Sequence, residues 1–264
     1  MRYIRCLAAL LLASFAFAAQ AKMVHRPVEW TQGGTRFHSV LVYDDASSAK
    51  RPGLVMVPNW FGVNDEAVKK AEMIAGKDYV ILLTDMYGAN VRPQLDNAEQ
   101  AQAAVKPLYA NRALMRSRIS EALAQLKAQA KDAPIDTAKL AAIGFCFGGA
   151  AVLDLARSGA DVAAVVSFHG DLSTDDASMA KHIKARVLAM NGADDTWTMK
   201  DADKFMDEMS QSPADWQFVV LGHAVHCFTE VGENSPGCKY DAKVAARSYG
   251  LMHAWLREAF AGRD

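Results

Sequence analysis

Short, mostly apolar runs alternate along the chain with longer stretches of helical periodicity. The runs at 36–43, 53–58, 79–84, 140–144, 162–168, 187–191 and 217–221 are rich in Val, Ile and Leu. Strands covered on both faces carry apolar side chains at nearly every position, so these runs predict a parallel sheet. Between them, residues 65–75, 98–130, 147–157, 199–210 and 240–260 read as covering helices. The 98–130 stretch is alanine-rich and is expected to break near Pro107. In the last stretch Ala245, Tyr249, Met252, Trp255 and Leu256 fall at helical spacing, which predicts core packing. The alternation predicts an α/β fold with a doubly wound, mostly parallel sheet. Ligands of such sheets sit beyond the carboxyl ends of the strands. The residues found there are Asn59, Trp60, Asp85, Tyr87, Cys146, His169, Asp194, Asp195 and His226.

The N-terminus follows a different pattern. Arg2 and Arg5 precede an apolar run at 7–17, and Ala19-Gln20-Ala21 has the small-x-small form of a cleavage site. A membrane-spanning helix needs about 20 apolar residues, and this run is shorter. Cys6 lies before the run and not at the cleavage point, which argues against a lipoprotein. Residues 1–21 are therefore expected to be a signal peptide and 22–264 a single exported domain, periplasmic or secreted, with no membrane association after cleavage.

Composition narrows the partners. The chain has 264 residues, 51% of them hydrophobic, enough for one sizeable core. Its 29 basic and 30 acidic side chains give a net charge of −1, with no basic excess of the kind nucleic acid demands. A small molecule is the expected partner, and the sequence specifies no oligomeric state. Of the 4 cysteines, Cys6 leaves with the signal. Cys146, Cys227 and Cys238 remain, and one pair plus one free thiol is the simplest arithmetic. Cys227 and Cys238 are close in sequence and are the expected pair in an oxidising compartment. The loop they would close gains roughly 2–3 kcal/mol in the chain-entropy model. Cys146 is left over.

Cys146 sits in Gly144-Phe145-Cys146-Phe147-Gly148-Gly149, between a predicted strand and a predicted helix. This is a G-x-nucleophile-x-G elbow with Cys in place of Ser. The turn lifts the sulfur off the sheet and aims the positive end of a helix at it. It also offers the Phe147 backbone N–H to a developing oxyanion. A nucleotide-binding glycine turn is the alternative, but Cys146 stands where G-x-G-x-x-G needs its second glycine. In hydrolases of this shape the order is nucleophile, acid, base. Asp194 and Asp195 follow the sixth predicted strand, and His223 and His226 follow the seventh. The Gly-x-x-Asp spacing from Gly192 favours Asp195. His223-x-x-His226 with Asp194 resembles part of a zinc site, but no further cluster completes it, so no metal is expected.

These residues carry a family resemblance. From about residue 35 to 262 the chain resembles the dienelactone hydrolase family of α/β-hydrolases. The matching pieces are Pro58-Asn59-Trp60-Phe61-Gly62-Val63-Asn64, Thr84-Asp85-Met86-Tyr87-Gly88, the Cys146 elbow, Phe168-His169-Gly170, Gly192-Ala193-Asp194-Asp195 and Ala224-Val225-His226-Cys227-Phe228-Thr229. The resemblance implies a triad of Cys146, Asp195 and His226, and an oxyanion hole from the backbone N–H groups of Trp60 and Phe147. It implies a pocket shaped by Asn59, Phe61, Tyr87 and His169 together with those two residues. The activity implied is hydrolysis of a carboxylic ester or lactone through a thioester, with no cofactor. Two positions depart from the family. Asn59 stands where many members carry a Glu that holds the resting cysteine. Glu230 stands where dienelactone-specific enzymes carry a substrate-binding Arg, so dienelactone is not the expected substrate. Two rival functions are a non-catalytic binder, which Asn59 favours, and a thiol redox protein, which the missing C-x-x-C pair disfavours.

Overall fold

The computed structural model describes residues 22–262, and the expected signal segment at 1–21 lies outside the described residues. The apolar runs assemble into one 8-stranded sheet. Its strands are β1 (Met23–Gln32), β2 (Thr35–Asp44), β3 (Arg51–Val57), β4 (Val80–Leu83), β5 (Ile135–Phe145), β6 (Ala164–Phe168), β7 (Arg186–Gly192) and β8 (Trp216–Leu221). They lie in the order β1-β2-β4-β3-β5-β6-β7-β8. Pairing is antiparallel from β1 through β2 to β4 and parallel across the rest. The helices are α1 (Asp65–Ala75), α2 (Ala98–Ala110), α3 (Arg112–Ala128), α4 (Phe147–Arg157), α5 (Ala202–Ser210) and α6 (Ala242–Ala261). Helices α1 and α6 pack on one face of the sheet, and α2 to α5 on the other. This is the α/β-hydrolase architecture, and the doubly wound, mostly parallel sheet predicted from the apolar runs is present.

Three local differences from expectation have physical causes. Strand β1 is missing from the apolar runs because it is an edge strand with alternating burial, and it carries Pro27. An edge position tolerates a proline that a central strand would reject. Gly33 and Gly34, with φ of 55° and 78°, form the two-residue turn that folds β1 onto β2. The expected break near Pro107 falls instead at Asn111. That residue ends α2, and its side chain accepts a hydrogen bond from the Leu114 N–H to begin α3. Residues 199–201 form a short 3₁₀ turn before α5.

Behind the strand ends, Arg157 of α4 is completely enclosed. Its guanidinium donates to both Glu208 oxygens at 2.8 Å, to Asp154 Oδ1 at 3.0 Å, and to the carbonyls of Leu172 and Ser173. A buried charge is tolerated only when paired and hydrogen-bonded. This one ties α4, which carries the Cys146 turn, to α5 and to the loop after β6.

Candidate active site

The Cys146 turn is built by close backbone approach. A Cβ on Gly144 would lie 2.0 Å from the Gly148 carbonyl oxygen, and one on Gly148 would lie 2.1 Å from the Val57 carbonyl oxygen. No side chain fits at either place, so the chain turns from β5 into α4 within one residue. Cys146 itself takes φ 53°, in the left-handed region that non-glycine residues occupy only under constraint. The constraint is visible: its N–H continues the β5–β6 ladder to the Phe168 carbonyl at 3.0 Å.

The loops after β7 and β8 are stitched together in the same way. The Ala193 N–H donates to the Leu221 carbonyl at 2.8 Å, and the Asp194 N–H to the Ala224 carbonyl at 2.9 Å. Asp195 therefore faces His226. Its Oδ2 lies 2.7 Å from His226 Nδ1 and accepts from the Thr198 hydroxyl at 2.7 Å. Its Oδ1 accepts from the N–H groups of Trp197 and Thr198 at 3.0 and 3.2 Å. The carboxylate is thus held on several sides, which fixes its direction. The other imidazole nitrogen, His226 Nε2, lies 3.2 Å from Cys146 Sγ. Sulfur, imidazole and carboxylate form one continuous line from three loops. Asp194 and His223 are exposed and stand outside it.

Burial works against a charge on the His226 ring, but the Cys146 sulfur and the Asp195 carboxylate outweigh it and push the pKa up to about 10. Burial likewise pulls Asp195 upward, and its bonds to His226 and Thr198 bring it below the usual carboxylate range. His226 is further restrained from behind. Cys227 and Cys238 form a disulfide, and the Lys239 N–H donates to the His226 carbonyl at 3.0 Å. The Trp197 ring packs 5.2 Å from the imidazole and the His169 ring 4.9 Å, edge-on.

A cleft of about 390 Å³ opens over Cys146 and His226 and is walled by Trp60, Phe61 and Trp197. Asn59 also lines it. Tyr87 and His169, expected in the wall, stand behind it. The Tyr87 hydroxyl donates to the Trp60 carbonyl at 3.0 Å, so it props the loop after β3. Its ring, with that of Tyr109, packs on Phe147. His169 is fully enclosed, and burial pushes its pKa down to about 4, so the ring is neutral. Its Nε2 lies 2.7 Å from the Thr229 hydroxyl.

The two departing positions meet. Asn59 Nδ2 donates to Glu230 Oε2 at 2.6 Å, while Asn59 Oδ1 accepts from the Phe61 N–H at 3.0 Å. The other Glu230 oxygen pairs with Lys70 of α1 and accepts from the Thr229 hydroxyl. Burial opposes the charge on Glu230, and Lys70 with His169 holds it well below the usual range. The carboxylate is therefore balanced by a lysine. Sequence reasoning missed Lys70, Trp197 and Thr198. Lys70 belongs to no motif, whereas Thr198 lies three residues after Asp195, where a hydroxyl folds back onto an aspartate in short turns. Among the described residues, no group of three or more His, Cys, Asp or Glu is placed to hold a metal ion.

Comparison with known proteins places the chain. The model of the dienelactone hydrolase family matches residues 37–260. A dienelactone hydrolase-like promiscuous phosphotriesterase from metagenomic libraries is 39% identical. The match covers 90% of this chain and 98% of that one, with a TM-score of 0.79. The solved structure of m3DLH is 37% identical, with 90% and 98% covered and a TM-score of 0.82. A Bradyrhizobium protein, named as a probable 2-oxo-3-(5-oxofuran-2-ylidene)propanoate lactonase, is 26% identical over 77% of this chain and 84% of its own.

Proposed function

The chain belongs to the dienelactone hydrolase family and is a hydrolase of lactone or ester bonds, and on that premise we propose that it works through a covalent thioester on Cys146. The observation that carries this reading is the unbroken line from Cys146 Sγ through His226 to Asp195, with spacings of 3.2 and 2.7 Å. In the acylation step the sulfur, its proton on His226 Nε2, attacks the carbonyl carbon of the substrate. The carbonyl oxygen becomes an oxyanion, held by the Trp60 and Phe147 N–H groups. The carbon–oxygen bond to the leaving alkoxide then breaks, and His226 Nε2 gives that alkoxide its proton. Water enters the cleft, His226 takes a proton from it, and the hydroxide oxygen attacks the thioester. The acid leaves and the sulfur is restored. Asp195 orients the imidazole and stabilises its charged form throughout.

Asn59 cannot accept a proton, so His226 alone serves as the base. Turnover of p-nitrophenyl esters and of lactones tests the scheme. Cys146→Ala is expected to lower kcat/KM by at least about a thousandfold, and Asp195→Asn by a comparable factor. Full turnover by Cys146→Ala would reject it and favour a different nucleophile. We also propose that the protein is exported. The Cys227–Cys238 disulfide supports that reading, because such bonds persist in oxidising compartments.

A further inference from the structure

The cleft over Cys146 is unbalanced in charge. Among the described residues no lysine or arginine lines it, yet three carboxylates do: Asp96, Glu230 and Glu233. Glu230 drops out of the balance because Lys70 neutralises it from the opposite side, and the charged His226 ring is offset by its Asp195 partner. Asp96 and Glu233 form no ion pair among the described residues. They come from different segments, the loop before α2 and the disulfide-closed loop after β8. Glu233 is close enough to the others to respond to them. Its carboxyl is pushed up first by burial and then by Glu230 and Asp96.

The rest of the wall has the same sign preference. Trp60, Phe61 and Trp197 line the cleft, and Trp197 is 55% exposed, so its ring is available to a ligand. Aromatic faces attract cations and repel anions. A cleft with one sign of charge and low-dielectric walls concentrates that field. Beyond Trp60 the surface changes character: the adjoining groove carries Glu99 and Lys106, one charge of each sign. The negative field therefore belongs to the cleft itself. Arg92, the arginine nearest in sequence to this rim, is occupied with Asp85 Oδ2 at 2.9 Å and with the Gly88 carbonyl.

We propose that this cleft selects its ester or lactone by charge, with Asp96 and Glu233 as the specificity-determining residues. A cationic group on the non-reacting part of the substrate is favoured over a neutral one, and a carboxylate there is rejected. The proposal rests on the reading of Cys146 and His226 as the reacting pair, since that places the reaction in this cleft.

Three p-nitrophenyl esters of matched length test it: 4-trimethylammoniobutanoate, its uncharged isostere 5,5-dimethylhexanoate, and glutarate. The expected order of kcat/KM is cationic, neutral, anionic. At low ionic strength the cationic ester is expected to exceed the anionic one by at least about tenfold. The gap narrows in half-molar salt, where the Debye length falls to a few ångströms. In the double variant Asp96→Asn, Glu233→Gln the cationic-to-anionic ratio is expected to fall to within about threefold. Equal rates in the wild type, a preference for glutarate, or an unchanged ratio in the double variant each overturn the proposal. Failure to hydrolyse even the neutral ester would sink the thioester mechanism instead. The charge order is then read from binding of the three esters to the Cys146→Ala protein by titration calorimetry. A flat or reversed order of affinity there overturns the proposal without any chemistry.

Discussion

At the scale of single residues, His226 is the group on which the site turns. Its ring is held between a carboxylate at 2.7 Å and a sulfur at 3.2 Å, and both favour its protonated form. A histidine with a folded pKa of about 10 lies above its unfolded value of about 6.5. Its contribution to stability is then fully present below pH about 6.5 and is lost as the pH rises through about 10. Urea denaturation of the wild type and of His226→Gln, compared at several pH values, checks this. The wild-type advantage is expected to be largest at pH 6 and to shrink steadily toward pH 10. A difference that does not change with pH would mean the ring is not charged in the folded protein. The residues of this site differ in how far sequence could reveal them. Cys146 and Asp195 follow strands at readable spacings, whereas the choice of His226 over His223 comes from the family resemblance; the structure brings the three together. Lys70 was not legible, because it lies on an amphipathic helix beside the exposed Lys69, and only packing directs it to Glu230.

At the scale of elements, the strand-to-helix turn and the disulfide loop fix where sulfur and imidazole stand. Gly148 meets the Val57 carbonyl so closely that Gly148→Ala must move α4 away from β3. A destabilisation of about 3 kcal/mol is expected from such overpacking, measured by chemical denaturation. Loss below 1 kcal/mol would show that the turn has slack. Cys227 adjoins His226, and Cys238 pairs with it as an isolated bridge. Cys238→Ser is expected to cost about 2–3 kcal/mol of stability, and also to lower kcat at temperatures where the variant remains folded. An unchanged kcat would make the bond a simple staple. Helices α1 and α4 match the predicted stretches 65–75 and 147–157 to the residue. Strand β1 was not readable, because half-buried alternation interrupted by Pro27 gives a weak signal. Pro107 misled in the opposite direction. It sits inside α2, where its missing N–H costs the helix one hydrogen bond without ending it, and Asn111, able to cap the next helix, makes the break.

At the scale of the whole molecule, the apolar runs were enough to identify an α/β sheet because buried parallel strands leave so little room for polar residues. The order of those strands depends on pairings distant in sequence and comes from the structure. The field of the cleft is also a property of the assembled molecule, since Asp96 and Glu233 meet only after the loops close over Cys146. Export belongs to this scale too. If residues 1–21 are removed as proposed, N-terminal sequencing of protein recovered from the periplasm or medium gives Lys22 first. Recovery of the chain only in the cytoplasm, beginning at Met1, would refute it.

The thioester itself is open to direct observation. Protein quenched during turnover of a slowly released ester, then weighed intact and mapped by peptide, is predicted to carry one acyl group on Cys146. The adduct should form and decay at rates that account for turnover, and it should be missing from Cys146→Ala. Sustained hydrolysis with an unmodified Cys146 thiol would contradict the account.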